Sequence, residues 1–247
     1  MQLTNHIHLI ASGDAGFSLT HPLDCHVYLV DGGEEAALID AGVGLATEEV
    51  LAGIRATGLD PVRIRWLLLT HAHADHAGGA AALREALPGV RVALAAEAAP
   101  WLRTADEEAI SLSFARRAGF YPAEYSLRPC PVDRELREGD EIRVGDLTLQ
   151  VIETPGHCAG HLSFLMEEED RRVLFGGDHV FHGGRISLQN IPDCSLQAYA
   201  RSMDKLAELE IDTLLPGHLT LSLRRGQRHI ASAHRAFQAL ALPPNIL

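Results

Sequence analysis

Arg65-Trp66-Leu67-Leu68-Leu69-Thr70-His71-Ala72-His73-Ala74-Asp75-His76-Ala77-Gly78-Gly79 is the stretch that decides how this chain is read. Residues 65–69 form an apolar run of strand length, and a helical pattern follows from about Gly79 to Leu87. Between them lie three histidines and an aspartate within six positions. Imidazole nitrogen and carboxylate oxygen are the usual donors to zinc and related metals. In an extended segment alternate side chains point the same way, so His71 and His73 can share one ion. Asp75 and His76 fall where the chain turns into the helix and can face a second ion beside it. A polar surface loop does not call for four donors directly after a buried strand.

Three later signals have the same form. Thr154-Pro155-Gly156-His157-Cys158-Ala159-Gly160-His161 follows a strand expected at 147–152. Gly176-Gly177-Asp178-His179 follows one at 172–175, and Leu215-Pro216-Gly217-His218 follows one near 212–214. Each sets an imidazole or carboxylate on a loop leaving a buried strand, where α/β sites form. Any one of them alone is weak, since Pro-Gly-His can be only a turn.

Further out, residues 26–30 and 36–40 read as a hairpin around Asp31-Gly32-Gly33. Thr47 is placed to cap a helix from about Glu48 to Ala56, with Gly58 ending it. Another strand is expected at 91–94, a helical stretch from Glu97 to about Gly119, and irregular chain from Phe120 to Pro131. Short strands follow near 142–144, 147–152, 162–166 and 172–175. Ser195 is placed to cap a helix reaching about Leu209, and a helix from about Arg224 to Leu240 comes last. No Gly/Ser-rich linker divides the chain, so one domain with two sheets and outer helices is expected.

The 247 residues are 47% hydrophobic and 22% charged, an ordinary globular composition. Lys and Arg number 21 against 33 Asp and Glu, a net charge of −12, with Lys205 the only lysine. Such a chain repels phosphate backbones, so no nucleic-acid partner is expected. The longest apolar runs, such as Trp66–Leu69 and Ala93–Ala96, fall far short of the ~20 residues of a membrane span, so no membrane partner is expected either. The N-terminus has no signal-peptide pattern, and Cys25, Cys130, Cys158 and Cys194 form no CxxC pair. Reduced thiols and a cytoplasmic location are the expectation.

Taken in order, His71-x-His73-x-Asp75-His76, then His157, Asp178 and His218, resembles the metallo-β-lactamase fold superfamily. The likeness runs from the hairpin at 26–40 to the helix after His218. It implies an α/β fold of the four-layer αββα sandwich type, one domain over 1–247, with a helical insertion at about 97–128. It assigns His71, His73 and His157 to a first metal and Asp75, His76 and His218 to a second, with Asp178 bridging. The implied cofactors are two divalent ions, zinc by default with iron or manganese as alternatives. Hydrolytic members use a metal-bound hydroxide, with Asp75 as the catalytic carboxylate that orients it. The implied substrate is a small ester, lactone or thioester.

Two other activities of the superfamily compete. One is a persulfide-oxidising enzyme with a single iron on the three-histidine site. The other is a nuclease, which the acidic composition disfavours. Within the hydrolases the chain departs from the glyoxalase II type, because only the 29 residues after His218 remain for that type's helical domain. It departs from lactonases at Phe181, where a tyrosine is usual. β-Lactamases of the fold are exported, and no export signal is read here. His161 is expected to order its loop, Cys158 to point away into packing, and His179 to turn from the metals. His182 is expected on an exposed loop. His6, His8, His21, His26, His229 and His234 are expected as core or surface histidines. The insertion, with Trp101, Leu102, Ile110, Leu112, Phe114, Phe120 and Tyr121, is expected to fold over the cleft as an apolar wall. It could also form a homodimer contact.

Overall fold

The computed structural model describes residues 1–169 and 171–246. In chain order the strands are β1 (Ile7–Ala11), β2 (Val27–Asp31), β3 (Ala36–Ile39), β4 (Ile64–Leu68), β5 (Arg91–Ala95), β6 (Arg134–Leu136), β7 (Glu141–Val144), β8 (Leu147–Glu153), β9 (Leu162–Glu168), β10 (Arg171–Gly177) and β11 (Thr213–Pro216). The helices are α1 (Thr47–Ala56), α2 (Ala74–Ala77), α3 (Ala80–Ala86), α4 (Ala99–Thr104), α5 (Leu112–Arg117), α6 (Leu196–Ala207) and α7 (Gln227–Gln238). The strands form two sheets, one ordered β1-β2-β3-β4-β5-β6 and the other β11-β10-β9-β8-β7. β3 through β6 run parallel, whereas β7 to β10 are antiparallel and β11 pairs in parallel with β10.

Side-chain alternation explains why the sheets stack. On β8 to β10, Leu149, Val151, Phe164, Met166, Val173 and Phe175 point into one buried cluster shared with β1 to β5. Their neighbours Ile152, Leu165 and Leu174 point the other way, onto Tyr199, Met203 and Leu206 of α6 and Ile230 of α7. On the far face of the first sheet, α1 buries Val50, Leu51 and Ile54. The result is the expected αββα sandwich.

Some local expectations differ. Thr47 lies inside α1, and its N-cap Ala46 provides no side-chain bond. Ser195 does cap α6, accepting from the Ala198 N–H. The helix expected at 79–87 is α3, and a separate short helix, α2, precedes it directly after His73. The stretch 97–119 is not one helix. It breaks where Ala105 and Ser111 take left-handed backbone conformations, at φ 52° and 54°. β1 and β6 are strands that carry no strong turn or alternation signal in the sequence. Among the described residues, no helix is long and apolar enough to cross a membrane.

Candidate active site

The loops after β4, β8, β10 and β11 meet at one edge between the two sheets. They bring together every donor singled out in the sequence, in two groups. His71, His73 and His157 converge in the first, and Asp75, His76, Asp178 and His218 in the second, with ligand-type atoms within 4.8 Å in each. Asp178 lies between the groups: one carboxylate oxygen is 3.3 Å from His76 Nε2, the other 3.5 Å from His218 Nε2 and 3.8 Å from His157 Nε2. Gly217 makes this approach feasible, because a Cβ there would collide with Asp178 Oδ1 and His76 Cε1.

Outer hydrogen bonds fix which nitrogen of each ring carries a proton. His76 Nδ1 donates to Asp40 Oδ2 at 2.8 Å. His157 Nδ1 donates to the Ser187 carbonyl at 3.0 Å. His73 Nε2 donates to Asp193 Oδ2 at 3.0 Å. The Thr70 hydroxyl donates to Asp40 and accepts from His71 Nδ1 at 3.0 Å. Each ring therefore turns a lone pair inward. His73 Nδ1 and His157 Nε2 face each other at 2.9 Å, and His76 Nε2 and His218 Nε2 at 3.3 Å. In the first pair two lone pairs meet, which happens so closely only with a proton or a metal ion between them; in the second, His218 Nε2 also faces Asp75 Oδ2 at 3.1 Å. In addition, His71 Nε2 and Asp178 Oδ1 are buried without any hydrogen-bond partner. Buried polar atoms are rarely left so. The donor set therefore fits divalent metal, whose ligand nitrogens sit at ~2.0–2.1 Å from the ion.

Electrostatics point the same way. Burial lowers the pKa of His157 to about 4, and neighbouring His73 adds to this. Burial likewise holds His71 well below the ordinary histidine range. In the second group burial opposes charge, yet the surrounding carboxylates raise His76 and His218. The same histidines hold Asp75 and Asp178 ionised against burial. Three carboxylates, Asp40, Asp75 and Asp178, surround His76 and call for positive charge there.

The neighbouring histidines sort clearly. His161 accepts from the Asp178 N–H at 3.1 Å and contacts Thr154 Oγ1 at 2.9 Å, so it ties two loops together. His179 stacks on Tyr199 at 4.5 Å, away from both groups. His182 lies against His229 at 4.3 Å, beside α7. His26 is buried between Ser12 and the Leu219 carbonyl. Cys158 requires a correction: its sulfur lies within 4.8 Å of the ligand atoms of the first group. Residues 156–160 bend instead of running extended, so consecutive side chains do not alternate. Gly156, at φ 152°, lets this bend pass against the Tyr199 backbone.

A cavity of about 480 Å³ opens over Asp75, His73, His157, Asp178 and His218. Its walls include Ile110, Leu112, Phe114, Phe120 and Tyr121 of the insertion, and Leu188, Ile191, Leu219 and Ile246 opposite. Trp101 and Leu102 instead pack on the main core. No lysine or arginine lines the cavity among the described residues. Sequence reasoning misses three side chains here. Asp40 ends a hairpin strand, the same signal that marks Asp178. Asp193, and Asp24, which accepts from the Val43 N–H at 2.8 Å, sit in loops with no pattern to find them by.

Comparison with known proteins agrees with this architecture. The sequence model of the Metallo-beta-lactamase superfamily matches residues 20–218. An acyl-coenzyme A thioesterase, MBLAC2 of Gallus gallus, is 33% identical over 213 residues, covering 79% of this chain and 73% of that protein. Atrochrysone carboxyl ACP thioesterase of Aspergillus fumigatus is 29% identical over 194 residues, covering 78% of this chain and 50% of that one. Among solved structures, a metallo-beta-lactamase family protein from Thermus thermophilus superposes with a TM-score of 0.72 at 26% identity, covering 96% of this chain and 81% of its own.

Proposed function

The chain belongs to the metallo-beta-lactamase superfamily, and on that premise we propose that this hydrolase holds two divalent metal ions and cleaves thioesters of small apolar acyl groups. The observation that carries the reading is the set of inward lone pairs, fixed by outer hydrogen bonds and opening onto a largely apolar cavity. His71, His73 and His157 would hold one ion. Asp75, His76 and His218 would hold the other, with Asp178 shared between them. Zinc is the first candidate for this nitrogen and oxygen donor set. When bound, two such ions polarise a carbonyl and lower the pKa of water towards ~7. The second donor group supports this reading over a one-iron oxidising enzyme, which needs only the three histidines.

The protein's own groups divide the remaining work. Asp75 orients the attacking water and takes up its proton on a carboxylate oxygen. The insertion and the 188–191 loop exclude bulk water and seat the acyl chain. A thioester suits the site better than an oxygen ester. Its leaving thiol, with pKa ~8.5, departs as thiolate near neutral pH without a proton donor. Among the described residues the cavity walls supply no lysine for that purpose, and in this reading the inward ring nitrogens serve as metal donors. The two curated relatives above are both named thioesterases, one for coenzyme A and one for a carrier protein. With no lysine or arginine lining the cavity among the described residues, the acyl half is what it recognises, and carrier phosphates stay outside.

The test is a matched panel in which one acyl group is offered as thioester, oxygen ester and lactone, with a chelator control. Thioester kcat/KM should exceed the others by roughly tenfold or more, and chelation should remove it. Replacing coenzyme A by N-acetylcysteamine should change KM only slightly. An oxygen ester or lactone turned over faster than the thioester overturns the substrate reading.

A further inference from the structure

Residues 112–120, which include α5, form the outer wall of the cavity and are poorly held by packing. Only Leu112 and Ser113 are buried, and Phe114 and Phe120 are 42% and 59% exposed. Segments with so few buried contacts open at low cost. Arg116 ties the middle of the segment to Glu107 and to the Tyr125 carbonyl, and the contacts that reach the site lie at its two ends. At one end the Ser111 hydroxyl donates to Asp193 Oδ1 at 2.5 Å, while the other oxygen of Asp193 takes His73 Nε2–H at 3.0 Å. At the other end the Tyr121 hydroxyl donates to Asp75 Oδ1 at 3.0 Å, while Asp75 Oδ2 faces His218. The two ends thus grip different donor groups, the first through His73 and the second through Asp75.

The backbone supports a selected arrangement. Ser111 is a non-glycine residue in the left-handed region, a conformation that persists only where its surroundings fix it. Here its hydroxyl on Asp193 and its N–H on the Glu108 carbonyl at 3.1 Å hold the residue, which is only 4% exposed. Tyr121 lies flat on Tyr125, ring centroids 5.3 Å apart, and Tyr125 is anchored by its own hydroxyl to the Val43 carbonyl at 2.8 Å. That stack aims the Tyr121 hydroxyl at Asp75.

We propose that residues 112–120 are a lid fastened at each end to one metal-donor group, so that closure of the lid and loading of divalent metal are linked. Ser111, Asp193 and Tyr121 are its positioning residues. Asp193 sets the tautomer and orientation of His73, and Tyr121 fixes one oxygen of Asp75, leaving the other for the second group. Linkage is reciprocal: if metal favours the closed lid, the closed lid favours metal by the same factor. Partners of this outer kind are typically worth ~10–100-fold in metal affinity. The proposal rests on the metal reading above and not on the substrate reading.

The experiment uses the full-length chain, stripped of metal and then supplied with Zn²⁺. Hydrogen exchange is followed over residues 112–120, with 162–168 of β9 as internal reference. Zinc affinity is read by competition with a chromophoric chelator. In the parent, zinc should slow exchange in 112–120 several-fold without changing β9. Tyr121→Phe keeps the ring stack and should weaken the second zinc about tenfold. Ser111→Ala should weaken the first to a similar degree, and both should blunt the zinc-dependent protection. Ser111→Asn, which tolerates the left-handed conformation and can donate to Asp193, should restore it. Exchange in 112–120 that ignores zinc, or parent-like zinc affinity in both Tyr121→Phe and Ser111→Ala, overturns the linkage. A parent that binds no zinc overturns both this and the metal reading. Zinc-dependent protection in a protein inactive on thioesters supports the linkage and removes only the substrate assignment.

Discussion

Replacing Asp40 with asparagine should loosen the second metal and destabilise the fold together. Asp40 is 2% exposed and sits at φ 64°, a region asparagine also tolerates, so the substitution isolates charge and acceptor count from backbone strain. Its carboxylate accepts from the Thr70 N–H at 2.7 Å, from the Thr70 hydroxyl at 2.9–3.0 Å, and from His76 Nδ1 at 2.8 Å. An amide cannot serve all three. If its oxygen keeps the Thr70 N–H, its NH₂ faces His76 Nδ1. His76 must then move its proton to Nε2, the nitrogen turned towards Asp75, Asp178 and His218. If the amide flips, its NH₂ meets the Thr70 N–H, two donors buried face to face. Either way one charge-assisted hydrogen bond is lost, at about 1.5–3 kcal/mol. In a chain of this length that corresponds to a fall in melting temperature of roughly 5–10 °C. Affinity for the second ion should drop ~10–100-fold. Thermal melting of the metal-free variant reads the first effect and chelator competition the second. An Asp40→Asn protein that melts within about 1 °C of the parent, well inside the shift expected for one lost hydrogen bond, and holds both ions equally well would refute the tautomer argument.

Asp178→Ala removes the one carboxylate facing both groups and should lower kcat roughly 100-fold or more, whereas His161→Ala should mainly lower thermal stability; comparable activity in the two variants contradicts the assignment. Phe114→Ala and Phe120→Ala should each cost about 1 kcal/mol of apolar contact with the acyl chain, roughly fivefold in kcat/KM, with little change in melting temperature. Parent kinetics in both would remove the insertion from the substrate site. Stability should also fall with acid in a defined window, because burial holds buried His26 at a pKa of about 4 against the ordinary 6.5. The unfolded chain takes up this proton and the folded one does not, so stability is full above pH ~6.5 and declines down to ~4, by up to about 3 kcal/mol. Urea titrations from pH 7 to 4 should show a shallower decline in His26→Gln than in the parent, and equal slopes would exclude His26 as a cause.

The donor residues are legible because their chemistry is rare and their positions local. Each sits where an apolar strand gives way to a loop, and sheet stacking gathers such points at one edge whatever the intervening chain does. The strands of the second sheet are equally visible, since Leu149, Val151 and Phe164 alternate with residues facing α6. What stays hidden depends on tertiary contact. Asp193 has no neighbouring pattern, yet it orients His73 across 120 positions of sequence. The helical stretch expected at 97–119 breaks at Ala105 and again at Ser111, and a contact on Ser111 is again Asp193. Cys158 departs from its expected direction for a related reason, because strand alternation does not extend into the bend that carries it.

Elemental analysis of the chain purified without chelator, repeated after supplementation with Zn²⁺ and paired with the thioester rate at each occupancy, tests the central claim most directly. Activity should rise with the second equivalent and level off at about two ions per chain. Full thioester hydrolysis at a saturated occupancy of one would contradict the account.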